Sequence, residues 1–267
     1  MSAGRAAASA ADPALAAGAT EARSPSARPA PARAELRVVR VDLALRELGR
    51  RRLEAGLVDI CHRTGLYGRD MAGTGIFDDR KLFALLFVLY YPRFEPGSGF
   101  VALEGEGRSA RVRGYCVGTP DSARQARLVR RMAPALFARM AFTALFHPES
   151  FRIARRLVSG TKADAAPDPT WKEYPAHLHI NVDPGLQRGG AGSRLIEAFE
   201  ARMRELGAPG IQLHTSTENA KAIPFYRKRG YEVLSEGAPG QSLWPGFPDA
   251  RDLAFRKRLS VTGESRA

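Results

Sequence analysis

The chain has 267 residues, is 44% hydrophobic and 26% charged, and carries a formal net charge of +13, the composition of a globular protein with a basic bias. Its longest apolar run, Leu82 to Tyr91, lies between Lys81 and Pro92 and falls short of the roughly eighteen residues that span a bilayer, which excludes a helical membrane-spanning class. The cysteines Cys61 and Cys116 have no paired spacing, which excludes a disulfide scaffold and a thiolate zinc site, and a reducing cytoplasm is the expected location.

Residues 1–34 are mostly Ala, Pro, Ser and Arg, with Leu15 as a large apolar side chain. Such a stretch buries too little to offset the entropy of ordering and is expected to be a disordered tail. It lacks the apolar stretch of a secretory signal, and its Arg-rich, acid-poor character keeps a transit peptide as the alternative. Residues 35–260 fit one domain, and 261–267 are expected to fray.

The domain opens on a β-branched run, 36–43, that predicts a strand. Leu45, Leu48, Leu53, Leu57 and Ile60 recur at helical steps, and a second helix, capped by Asp78 or Asp79, is expected to run through 82–91 and end at Pro92. Apolar runs at 100–103 and 112–117, parted by a polar, Gly-rich stretch, predict a hairpin. A helical stretch follows over 122–147, interrupted at Pro134 and renewed after Pro148. A Pro-rich link over 165–175 leads to a strand at 177–182. Then come a helix at 188–206, a strand at 211–215, a helix at 220–229 and strands near 231–234 and 253–258. Helices alternating with strands predict an α/β or α+β domain with a mixed sheet.

The strongest signal is the turn Asn181-Val-Asp-Pro-Gly-Leu-Gln-Arg-Gly-Gly-Ala-Gly-Ser-Arg-Leu195, which joins a strand to an amphipathic helix. The first turn of that helix carries unpaired N–H groups at the positive end of its dipole, and glycines let a bulky anion such as a diphosphate approach them. A dinucleotide fingerprint fails because Leu195 stands where its third glycine would be, and the Gly-Lys-Ser/Thr ending of a Walker loop is missing. The bland alternative is a tight strand-to-helix turn and nothing more.

A second segment about thirty residues on decides between them. Gln187-Arg-Gly-Gly190-Ala-Gly192, preceded by Val182-Asp183-Pro184, resembles the Gln/Arg-x-x-Gly-x-Gly/Ala pattern of the GNAT superfamily of N-acetyltransferases. Asn219-Ala-Lys-Ala222-Ile-Pro-Phe225-Tyr226, continuing to Gly230-Tyr231, resembles that family's Asn-x-x-Ala-x-x-Phe-Tyr element. The layout is also similar to the acetyltransferase-like domain of the O-GlcNAc hydrolase and its bacterial relatives, on Asp59-Ile-Cys-His62, the 82–91 helix, Gly114 to Asp121 and Tyr174 to His179.

The resemblance implies a GNAT fold, whose mixed central sheet splays between the fourth and fifth strands, with helices on both faces and a helical insertion, 121–160, before the fourth strand. It implies acetyl-CoA as acetyl donor and a primary amine, on a small molecule or a peptide, as acceptor, by direct attack in a ternary complex. The diphosphate would lie on the amides of Arg188, Gly189, Gly190, Ala191 and Gly192 beside Gln187. The pantetheine arm would pair with Ile180 and Val182, bond to Asn219 and pass Phe225. Tyr226 would protonate the departing thiolate. The rival is a non-catalytic module that keeps the fold as an acetyl-CoA-binding or interaction surface.

His177, His179 and Asn181 alternate onto one face of their strand, and either histidine is a candidate base, with hydrogen-bonded sheet residues as the alternative. His214 reads as structural. Asp121 and Asp70 are candidates for binding a cationic acceptor, or else turn and cap residues. No third ligand joins a His-x-His pair, so no metal is assigned. Arg124, Arg127 and Arg131 share a helical face, but no base-reading module accompanies them and nucleic acid is not the expected partner. The expected state is monomer or homodimer.

Overall fold

The β-branched opening forms a shorter strand than expected. β1 (Leu36–Arg40) gives way at once to α1 (Val41–Leu48). Val41, Ala44 and Leu48 bury one face of that helix, and this packing overrides the β preference of Val41. Gly49 separates α1 from α2 (Arg50–Arg63), where the spacing predicted one continuous helix.

Asp79, not Asp78, caps α3 (Arg80–Phe87), its carboxylate accepting the Leu82 N–H at 2.9 Å. Pro92 does not end this helix. It sits in the first turn of α4 (Tyr91–Phe94), where a missing N–H costs nothing because no intrahelical acceptor awaits it. The hairpin of β2 (Phe100–Glu104) and β3 (Arg111–Thr119) forms where predicted. The insertion is α5 (Ser122–Leu128), a 3₁₀ turn, α6 (Ala133–Phe146) and α7 (Pro148–Gly160), with Pro134 in the first turn of α6.

The chain continues through β4 (Ala176–Val182), α8 (Ala191–Glu205), β5 (Gly210–Ser216), α9 (Ala222–Lys228), β6 (Glu232–Glu236) and β7 (Asp252–Arg258). The computed structural model describes residues 36–160, 168–187, 189–239 and 244–260. The expectations for residues 1–34, 165–167, 261–267 and Arg188 fall outside them.

The seven strands lie in the order β1-β2-β3-β4-β5-β7-β6. All neighbours are antiparallel except β4 and β5, which run parallel and pair only at Ala176–Ile211 and His177–Gln212. Beyond His177 the two strands part, while β4 stays in register with β3 from Thr119–His177 to Gly114–Val182. The edge of β4 that faces β5 therefore carries main-chain groups that no strand of the sheet satisfies from Leu178 onward. This is the splay expected between the fourth and fifth strands.

Alternate residues feed two cores, one on each face. Val101, Leu103, Tyr115 and Val117 pack with α1, α2, α3 and the insertion. Ala102, Cys116 and Leu178 pack with α8 and α9. The insertion is locked to α3 by Arg139, whose guanidinium holds the fully buried Asp79 carboxylate at 2.8 Å, with Thr143 as a further donor.

Candidate active site

The turn that ends β4 is built around Asp183, which is only 4% exposed. Its main-chain N–H donates to Arg113 at 2.8 Å, and its carboxylate accepts from the Gly185 N–H at 2.9 Å. The same carboxylate pairs with Arg63 at 2.9 Å and Arg113 at 3.7 Å, from α2 and β3. Val182-Asp183-Pro184 is thus the anchor that aims the following glycines. Gly190 is the N-cap of α8 at φ +82°, in the left-handed region that suits glycine. Beyond its own chain neighbours, no described atom lies within 4 Å of where a Cβ at Gly190 would stand. Leu195, Ile196, Phe199 and Met203 are fully buried and hold the start of α8 at the end of β4.

A cleft of about 570 Å³ opens there, between the parted strands. One wall is Ile180, Val182, Gln187, Gly190 and Gly192; the other is Asn219, Lys221, Phe225 and Tyr226. The expected nucleotide and pantetheine contacts are thereby brought together from two segments. Gly189 lies exposed in the same turn, and Ala191 is buried.

A second cleft of about 290 Å³ adjoins the first and shares Thr64, Gly68, Ile180, Asn181, Asn219 and Tyr226 with it. The turn after α2 closes it. Gly68 there has φ +82°, and a Cβ would stand 3.1 Å from Asn219 Oδ1, so glycine lets the two segments meet. Phe83, Phe87 and Trp244 make the remaining wall aromatic. Tyr226 lines both clefts, and burial pushes its phenol above its ordinary pKa, so it stays protonated.

The profile of the Acetyltransferase (GNAT) family matches residues 157–231, the segment that carries β4, the glycine turn, α8, β5 and α9. Residues 157–231 thus carry the sequence pattern of the GNAT family. The fold of the chain is that of SsHAT, whose crystal structure superposes with a TM-score of 0.60 at 22% identity over 84% of this chain and 98% of that one. YdhI of Bacillus subtilis (strain 168) is 28% identical over 82 residues, 31% of this chain and 45% of that protein. The mycothiol acetyltransferase of Saccharomonospora viridis is 38% identical over 55 residues, 21% of this chain and 18% of that enzyme. The chain thus spans less than half the length of the curated relatives it matches. These relatives lend no support to the narrower resemblance to the O-GlcNAc hydrolase domain.

The two β4 histidines have different surroundings. His179 lines the smaller cleft, against the rings of Tyr91 and Phe87. Burial pushes its pKa down to about 4. His177 faces a third cleft of about 260 Å³ instead. Its Nδ1 lies 3.3 Å from the Tyr91 hydroxyl, which accepts from Gln125 Nε2 at 2.9 Å, and burial again holds the imidazole neutral. Asn181 is bonded to the Tyr115 hydroxyl at 2.6 Å.

The two candidate acceptor carboxylates are not brought to either cleft. Asp121 is the N-cap of α5, accepting the Arg124 N–H at 2.9 Å, and Asp70 accepts the Ala72 N–H at 2.9 Å in an exposed turn near Arg63. Both are used as the commoner role of Asp in turns and caps dictates. Of the arginine stripe, Arg124 is exposed and pairs with the buried Glu95. Among the described residues no group of three His, Cys, Asp or Glu side chains is arranged to hold a metal ion, and no helix is long and apolar enough to cross a membrane.

Several cleft residues had no sequence signal. Thr64, Gly68, Phe83 and Phe87 come from elements far from the two motifs. His214 Nδ1 lies 2.7 Å from Asp252 Oδ2, and both line the smaller cleft. They stand on β5 and β7, where Ser216 is opposite Asp252 and His214 opposite Ala254. Lys221 lies inside the second motif and reaches Gln187.

Proposed function

We propose that this GNAT domain transfers acetyl from acetyl-CoA to a primary amine, by direct attack while both are bound. The observation that carries this reading is the divergence of β4 from β5 after His177, which opens a cleft with the glycine-capped start of α8 at one end and Tyr226 at the other. The residues fit the donor. The space left by Gly190 and the N-terminal dipole of α8 suit a diphosphate. The unpaired edge of Ile180 and Val182 suits an amide-bearing chain laid alongside as an extra strand, with Asn219 facing it.

Acetyl-CoA supplies an acyl carbon already activated by a thiol leaving group. The chain contributes position and protons. The splay holds the acyl end next to the second cleft, where the amine enters, so attack becomes a reaction between neighbours. A main-chain N–H of β4 in the parted stretch beyond His177 would polarise the acyl oxygen. Tyr226 lines both clefts and remains protonated, as a donor to the departing sulfur must. The small, aromatic-walled second cleft favours a small-molecule amine over a protein lysine. Both cysteines are buried and neither forms a disulfide, which suits action in a reducing cytoplasm.

The test is a thiol-release screen with acetyl-CoA and a panel of amines, amino acids and basic peptides. Amine-dependent release that falls in Tyr226→Phe supports transfer. Saturable acetyl-CoA binding with no release for any amine would instead favour a non-catalytic binding module.

A further inference from the structure

Of the two histidines expected to act as bases, His179 is made a weaker proton acceptor by burial, and His177 faces the third cleft and does not line the one next to Tyr226. A third imidazole does. His214 stands on β5 two residues past the last pairing of β4 with β5, at the point where the strands have parted. Its Nδ1 is engaged by Asp252 Oδ2 at 2.7 Å. This fixes the tautomer with the proton on Nδ1 and leaves Nε2 with its lone pair. Both side chains line the small cleft together with Tyr226, and His214 also lines the third cleft, which opens beside Gln125 and Trp171.

We propose that His214 is the general base of the transfer, taking the amine's proton at Nε2, with Asp252 as its positioning residue. This rests on the acetyltransferase reading. The amine nitrogen forms its bond to the acetyl carbon and gives one proton to His214. The carbon–sulfur bond breaks, its electron pair leaves on sulfur, and sulfur takes a proton from the Tyr226 hydroxyl. His214 then loses its proton to water through the third cleft, and Tyr226 regains one from solvent, so protons balance over the cycle.

The charged and titratable groups around His214 agree with this role. The bond to Asp252 raises its pKa above 6.5, and Asp168 adds to the effect while burial opposes it. His177 and His179 on β4 are neutral neighbours, the former with its ring 6.5 Å away, and Arg251 is paired with Glu236. An imidazole whose pKa is raised in this way is a stronger proton acceptor.

The experiment measures thiol release from acetyl-CoA with tyramine, glucosamine, agmatine and a lysine peptide, then kcat against pH with the fastest of these. His214→Gln is expected to lose about 10²-fold in kcat, with unchanged acetyl-CoA affinity and partial rescue by added imidazole. Asp252→Asn is expected to move the acid-side inflection down by about one pH unit. Wild-type activity whose rate and inflection survive His214→Gln, or whose inflection vanishes only in His179→Gln, overturns the proposal and leaves the acetyltransferase reading standing. No release with any amine overturns both. An NMR titration of the His214 ring in wild type and Asp252→Asn reads the dyad without turnover, and equal pKa values in the two would show that Asp252 does not tune it.

Discussion

Lys221 Nζ donates to Gln187 Oε1 at 3.0 Å, across the mouth of the larger cleft, so the two sequence motifs of the domain touch each other directly. Gln187 in turn reaches the Val182 carbonyl at 3.4 Å. The side chains that would meet the phosphates of a donor are therefore ordered by one another before it arrives. Lys221 is exposed enough to exchange Gln187 for a phosphate.

Lys221→Met should weaken CoA binding about threefold, the worth of a solvent-accessible charge contact. It should also flatten the salt dependence of that binding. Calorimetric titration at two ionic strengths measures both, and an unaltered salt response would place Lys221 outside the phosphate contacts.

Gly190 has φ +82°, where any other residue is strained by roughly 1–2 kcal/mol. Gly190→Ala should therefore lower the melting temperature modestly while keeping CoA affinity. Gly190→Glu adds bulk and negative charge and should lose roughly 10-fold or more in affinity beyond the alanine variant, about 1.4 kcal/mol. Equal affinities in the two variants would move the diphosphate away from this turn.

Tyr226→Phe should lower kcat by about 10²-fold with little change in the Kd for acetyl-CoA. Because burial raises the phenol above its ordinary value of 10.0, wild-type kcat should not decline through loss of this proton below that pH. A change in affinity alone, with kcat intact, would make Tyr226 a packing residue.

Asp79 couples stability to pH. Burial acts to raise its pKa, but the bonds from Arg139, Thr143 and the Leu82 N–H outweigh it and hold the carboxyl below its ordinary range. A depressed carboxyl stabilises the fold above its unfolded pKa of about 4, and that contribution is lost as pH falls through the folded value. Asp79→Asn should cost about 1.5–3 kcal/mol at pH 7, since it removes the charge-assisted bonds from Arg139, itself partly exposed. The deficit should shrink in acid, as denaturant unfolding at pH 7 and pH 3 would record.

The glycine turn and the helix that follows Asn219 were legible in the sequence because each is a local arrangement of residue types at short spacing. The two-face alternation of β2, β3 and β4 was legible for the same reason. Asp121 and Asp70 were ambiguous, since a carboxylate beside a turn looks the same whether it caps a helix or binds a ligand; only the bonds to the Arg124 and Ala72 N–H groups decide. Pro92 was ambiguous because proline marks both the end of one helix and the first turn of the next. The His214–Asp252 pair was invisible, because it depends on the register of β5 against β7, a tertiary fact that no local pattern announces. The aromatic wall from α3 was invisible for the same reason.

The central claim is that the cleft between β4 and β5 holds acetyl-CoA. Calorimetric titration of the whole chain with acetyl-CoA tests it most directly. Saturable binding at one site per chain, weakened in Gly190→Glu, is the result the account predicts. Absence of saturable binding to the folded wild-type protein would contradict it.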